Sequence, residues 1–157
     1  MRVELPGCEK ATVCAVDGTP VDCLRIAIGN LGCRPELVLS GINQAPNLGT
    51  DIISSGTVAA ANEAAMLGYP AIAVSRDEFD EEFFSDAAET FRDMLPELMA
   101  CMTKEKHLLN VNFPHTAKEN YKGIRTGYIV LQDYPIEFAE MVDENGEKLY
   151  FAKSTKL

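Results

Sequence analysis

PELVLSGINQAPNLGTDIISSGTVAAANEAAMLGYPAIAVS, residues 35–75, holds the pattern that decides the fold class. ELVLS at 36–40 is short, apolar and rich in β-formers, so it reads as a buried strand. TVAAANEAAMLG at 57–68 is strongly helix-forming and small on its surface, and Gly68 and Pro70 end it. AIAVS at 71–75 is a second buried strand. Strand, loop, helix and strand in this order make a βαβ unit, which implies a parallel sheet. The loop between, residues 41–56, is rich in Gly, Asn, Ser and Thr and holds little that could fill a core.

Working outward, HLLNVNF at 107–113 is a third buried strand. SDAAETFRDMLPELMACM at 85–102 predicts a helix capped by Ser85 and kinked or split at Pro96. Upstream, DGTP at 17–20 is a turn that starts a helix over 20–31, with Thr19 as N-cap, Pro20 in the first helical position and Asp22 in the first turn. Cys23, Ile26, Ala27 and Leu31 would share its inner face, and Gly32 would terminate it. The first seventeen residues read as two strands around a loop at Gly7–Lys10. From Thr126 the pattern becomes antiparallel strands around an Asn-Gly turn at 145–146.

Composition narrows the function. The chain has 157 residues, 46% hydrophobic and 24% charged, which suits one domain with a real core. A net charge of −10 argues against a duplex nucleic acid partner, which needs a basic footprint. It leaves room for a small phosphorylated substrate if a bound cation supplies local positive charge. Cys8, Cys14, Cys23, Cys33 and Cys101 show no CxxC pair and no metal spacing, as expected of reduced thiols in a cytoplasmic protein. The longest apolar stretch, residues 57–74, is broken by Asn62, Glu63 and Pro70, so no segment reads as a membrane span.

The loop at 41–56 leaves the carboxyl end of a strand, where open α/β sheets bind ligands, and runs into a helix N-terminus at SSGT. Backbone N–H groups at Gly56, Thr57 and Val58 would face an anion there, and the hydroxyls of Ser55 and Thr57 add donors. Asn43 offers either its amide oxygen to a hard cation or its amide N–H to a phosphate. The bland alternative is an ordinary cap and an Asn-rich turn. Neither a Walker A motif nor GxGxxG is present.

At these residues the chain resembles the SurE family. GTPVDCLRIAI, residues 35–75 and LLNVNFP occur in that family's order, and the resemblance runs from residue 1 to about 135. It implies a divalent-metal-dependent phosphatase of nucleoside 5′- and 3′-monophosphates, using Mg2+ or Mn2+. Asn43 matches the family's metal-ligand asparagine. Asn47 matches an active-site asparagine near the phosphate, and Ser55, Gly56 and Thr57 match the SGT that cradles it; these four are the expected catalytic and substrate-binding residues. The implied fold is a Rossmann-type three-layer α/β/α domain with a mostly parallel sheet and a C-terminal antiparallel β arm. The implied assembly is a homodimer or homotetramer.

The sequence also departs from that family. SurE proteins begin with a strand ending in Asp-Asp, followed later by a metal-ligand serine, and this sequence contains no Asp-Asp pair. Residues 1–125 are therefore expected to form an incomplete α/β domain lacking the first strand and helix, weakly active or inactive alone, with 126–157 as an arm for oligomer contacts. Ala45 stands where a glycine is usual, and Asn62 and Ala64 where methionine and glycine are. A single amide oxygen does not hold Mg2+ or Mn2+. Asp17 and Asp51 read as turn or cap residues rather than replacement ligands, His107 and His115 as strand-end or surface residues, and the acidic run Asp77–Glu82 as a solvated loop. Tyr134, Phe138, Tyr150 and Phe151 read as packing of the arm rather than a stack for a base. The alternative function is a degenerate, non-catalytic nucleotide- or phosphate-binding domain.

Overall fold

Every residue of strand β4, Ala71–Arg76, is buried, as an unbroken apolar run requires when both faces of a sheet are covered. It lies between β3 (Val38–Asn43) and β5 (Leu108–Phe113) and runs parallel to both. The computed structural model describes residues 2–3, 11–77, 82–103, 107–131 and 137–152. Within them the chain also forms β1 (Arg2–Val3), β2 (Val13–Cys14), α1 (Pro20–Arg25), α2 (Asp51–Ser54), α3 (Gly56–Met66), α4 (Phe84–Ala100), β6 (Phe138–Val142) and β7 (Lys148–Ala152). β1 and β2 pair antiparallel, as the first seventeen residues predict; the loop at Gly7–Lys10 lies outside the described residues.

Side chains alternate across β4, so its two faces build two cores. Ala71 and Ala73 pack with Leu24, Val58, Ala61 and Ala64, while Ile72 and Val74 pack with Ala87, Phe91 and Phe113. Helices α1 and α3 thus cover one face and α4 the other, giving the expected α/β/α layering. Ala60, Ala61, Ala64 and Ala65 are all buried, so α3 presents almost no side-chain bulk to the sheet.

Three local expectations need correction. First, α1 ends at Arg25 and the chain continues as a π-helical turn, Ile26–Asn30, before Gly32 at φ 69° stops it. Leu24 is the buried residue, with Ile28 packed one turn on, while Cys23 and Leu31 are exposed. The inner face is set by the pair at i and i+4 that meets α3, and the wider π turn carries Leu31 outward. Second, α4 runs unbroken through Pro96 and is preceded by Phe83 at φ 57°, so Ser85 caps nothing. Phe91, Met94, Leu95 and Leu98 pack on the sheet on both sides of the proline, and that burial outweighs one lost hydrogen bond. Third, the stretch read as one loop over 41–56 contains the last residues of β3, the single turn α2 and the start of α3, leaving 44–50 as irregular chain.

Beyond β5, the 3-10 turn Lys118–Asn120 is tied to α4, its Lys118 N–H donating to Asp86 Oδ2 at 2.9 Å and Lys118 Nζ to Glu89 Oε2 at 2.5 Å. Tyr121 then lies against Phe113, ring centroids 6.0 Å apart. Its hydroxyl is buried with no hydrogen-bond partner among the described residues, and burial raises its pKa. β6 and β7 pair antiparallel around the predicted turn, where Asp143 Oδ1 accepts from Asn145 N at 2.9 Å and Glu147 N at 2.8 Å. Phe138, Met141, Val142, Tyr150 and Phe151 in this hairpin are exposed. Tyr134, expected to pack there, lies outside the described residues.

Candidate active site

The site begins with an irregularity in β3. The register with β4 shifts between Ser40 and Asn43, and Gly41 stands at φ 131° with a cis bond to Ile42. A Cβ on Gly41 would lie 2.3 Å from the Val74 carbonyl oxygen, so no other residue fits this path. Past the irregularity, Asn43 closes the strand at its carboxyl end.

Asn43 Nδ2 donates to the Ala45 carbonyl at 2.7 Å, which leaves the amide oxygen facing Thr57, whose Oγ1 donates to it at 3.3 Å. Of the two uses open to Asn43 from sequence, one amide hydrogen is spent on the loop and the oxygen is turned to the α3 N-terminus. Ser55 caps α3, its Oγ accepting from Val58 N at 3.2 Å. The Val58 N–H expected to face an anion is therefore engaged, while those of Gly56 and Thr57 lie in the first turn, where a helix supplies no acceptor. Gly56 meets the N-terminus of α1: a Cβ there would lie 3.5 Å from the Pro20 ring. Between α1, β3 and α3 runs a groove of about 520 Å3 whose lining includes Gly18, Pro20, Leu39, Asn43 and Thr57. It follows the outer edge of β3, which has no strand partner among the described residues.

Asn43, Ser55, Gly56 and Thr57 thus share one rim. Asn47 is buried instead, 4% exposed, and is bonded to β4 and β5. Its Nδ2 donates to Ser75 Oγ at 2.5 Å, its N–H to Asn112 Oδ1 at 2.8 Å, and its carbonyl accepts from Asn110 Nδ2 at 2.8 Å and Asn112 Nδ2 at 3.2 Å. Sequence reading missed Ser75, Asn110 and Asn112. The signal was two asparagines at i and i+2 on one face of an otherwise apolar strand, LLNVNF.

Asp51 heads α2 and Asp17 sits in an exposed bend. His107, at the start of β5, approaches the Ala65 carbonyl through Nε2 at 3.1 Å. The His115 ring meets Phe83 edge-on, centroids 5.2 Å apart. Within the acidic run, residues 78–81 lie outside the described residues. Arg76 is buried at the end of β4, where Nη1 donates to the Glu82 carbonyl at 2.7 Å and the guanidinium lies over Phe84.

A hard divalent cation takes about six oxygens, carboxylates foremost. The rim offers the Asn43 amide oxygen beside a neutral hydroxyl, and no three His, Cys, Asp or Glu residues come together among the described residues. This set fits one corner of such a site and not the whole. Among the described residues no helix is long and apolar enough to cross a membrane, and Cys14, Cys23, Cys33 and Cys101 form no disulfide.

A family model described as "Survival protein SurE" matches residues 2–135. A protein of Carboxydothermus hydrogenoformans named "5'-nucleotidase SurE" is 43% identical over 141 residues, 87% of this chain and 53% of that protein. One of the same name from Synechococcus elongatus is 44% identical over 140 residues, covering 88% of this chain and 54% of that protein. The crystal structure of a SurE protein from Aquifex aeolicus superposes with a TM-score of 0.70 at 36% identity, covering 87% of this chain and 56% of that one. The chain spans a little over half the length of the curated relatives it matches.

Proposed function

The chain belongs to the SurE family, and from that premise we propose that the protein is a cytoplasmic, metal-dependent phosphomonoesterase that hydrolyses nucleoside 5′-monophosphates and also 3′-monophosphates. The observation that carries this reading is the pairing of Asn43 Oδ1 with Thr57 Oγ1, 3.3 Å apart, where the carboxyl end of β3 meets the N-terminus of α3. The Gly56 and Thr57 N–H groups receive phosphoryl oxygens, helped by the helix dipole. Asn43 would supply one of the about six oxygens that Mg2+ or Mn2+ takes. When bound, such an ion neutralises phosphate charge and orients water. The exposed hairpin β6–β7 serves contacts between copies in a homodimer or homotetramer.

The test is phosphate release from AMP and from 3′-AMP, with Mn2+, with Mg2+ and with chelator. Cation-dependent release, weak from these residues alone, is expected, and Asn43→Ala should reduce rate and metal affinity together. Full activity in that variant would remove Asn43 from the site.

A second reading is a degenerate domain that holds a nucleotide or phosphate without cleaving it. It is favoured by the donor set of the rim, one amide oxygen beside a neutral hydroxyl, with no three His, Cys, Asp or Glu residues grouped among the described residues. Titration calorimetry with AMP in chelator separates the two: heat without turnover supports the binder, and no heat up to millimolar AMP counts against it.

A further inference from the structure

Residues 44–50 are irregular chain, yet the peptide at Asn47 is bonded as firmly as one in a sheet. The Asn112 carboxamide accepts from the Asn47 N–H and donates to its carbonyl, and Asn110 donates to that carbonyl from one pleat earlier on the same face. The Asn47 side chain completes the hold on Ser75 of the central strand. A carboxamide suits this task because it carries both an acceptor and donors. Two residues earlier in the same short loop, the Ala45 carbonyl accepts from Asn43 Nδ2. That bond decides which end of the Asn43 amide faces Thr57. The connection therefore runs from β5 through Asn47 and Ala45 to the Asn43 oxygen.

We propose that Asn110 and Asn112 are positioning residues that latch the Asn47 peptide to β5 and so hold the Asn43 carboxamide with its oxygen toward Thr57. The purpose given to that oxygen rests on the phosphatase reading, whereas the latch does not.

The test is amide hydrogen exchange and side-chain amide NMR on the whole chain. In the unaltered protein the Asn47 N–H should exchange at least about tenfold more slowly than the Leu48 N–H, the factor expected of one net hydrogen bond. In Asn112→Leu that protection should vanish and the Asn43 Nδ2 resonances should move, while Ile72 and Val74 in β4 stay protected. Asn112→Asp retains the acceptor and should keep most of the Asn47 protection. Asn110→Leu changes an exposed residue and should shift the Asn43 resonances even if Asn112→Leu does not fold. Equal exchange at Asn47 and Leu48 in the unaltered protein would overturn the latch. So would Asn43 resonances that stay fixed in every folded variant. AMP turnover measured in parallel keeps the two claims apart: an intact latch with turnover unchanged by Asn43→Ala sinks the role given to that oxygen alone.

Discussion

At the scale of single residues, the rim depends on Gly41 and Ser55 as much as on the groups facing the cleft. Gly41→Ala places a methyl 2.3 Å from the Val74 oxygen at a φ of 131°, so β3 and β4 must part near the site. The expected loss is about 1–3 kcal/mol or more, read as a lower thermal midpoint, with the Asn43 resonances displaced as well. Ser55→Ala removes the α3 cap and should cost about 1 kcal/mol while sparing the Asn47 contacts. Part of this was legible in the sequence. SSGT before an alanine-rich run announces a helix terminus open to anions, and Asn43 closing a strand announces a polar group at the carboxyl edge. Which face the Asn43 amide turns outward was not legible, because that depends on the Ala45 carbonyl. The burial of Asn47 was hidden for a similar reason: its partners, Ser75, Asn110 and Asn112, come from β4 and β5.

At the scale of elements, local chemistry wrote its own signature and tertiary packing did not. The start of α1 is a capping box: Thr19 Oγ1 accepts from Asp22 N at 3.3 Å, and Asp22 Oδ2 accepts from Thr19 N at 2.8 Å. Thr19→Ala should destabilise by about 0.5–2 kcal/mol in thermal unfolding. The hydrogen bonds from Thr19, side chain first and then backbone, lower the Asp22 pKa below its ordinary 3.8. A carboxyl lowered by folding contributes stability that is full above about 3.8 and fades as pH falls through the lowered value. The part of the capping box that rests on the Asp22 carboxylate should therefore fade in strong acid, and the gap between Thr19→Ala and the unaltered protein should narrow there without closing. Helix α3 predicts its own sensitivity: Ala64 is fully buried against the sheet, so Ala64→Leu should cost about 1–3 kcal/mol by overpacking. Against these, the passage of α4 through Pro96 and the outward turn of Leu31 were unreadable, because each is settled by what packs opposite.

At the scale of the whole molecule, the three-layer arrangement was legible because apolar strands alternate with helical segments, an order that few folds share. The hairpin at 138–152 was legible from its Asn-Gly turn. Its exposed Phe138, Met141, Tyr150 and Phe151 make a prediction at this scale. Serine at all four positions should shift sedimentation toward the monomer while leaving the alkaline and thermal behaviour of the α/β layers unchanged. Unaltered sedimentation would take the hairpin out of assembly.

The chain has no tryptophan, so tyrosine dominates its near-ultraviolet absorbance, and among the described residues Tyr121 has a buried hydroxyl with no hydrogen-bond partner. Its pKa is raised above the ordinary 10.0, so folding contributes stability below about 10 that is lost as pH climbs through the raised value. In a spectrophotometric titration, Tyr121→Phe should remove an ionisation step above the ordinary tyrosine range, giving an optical gauge of whether the α4 side of the sheet is closed, with no label attached.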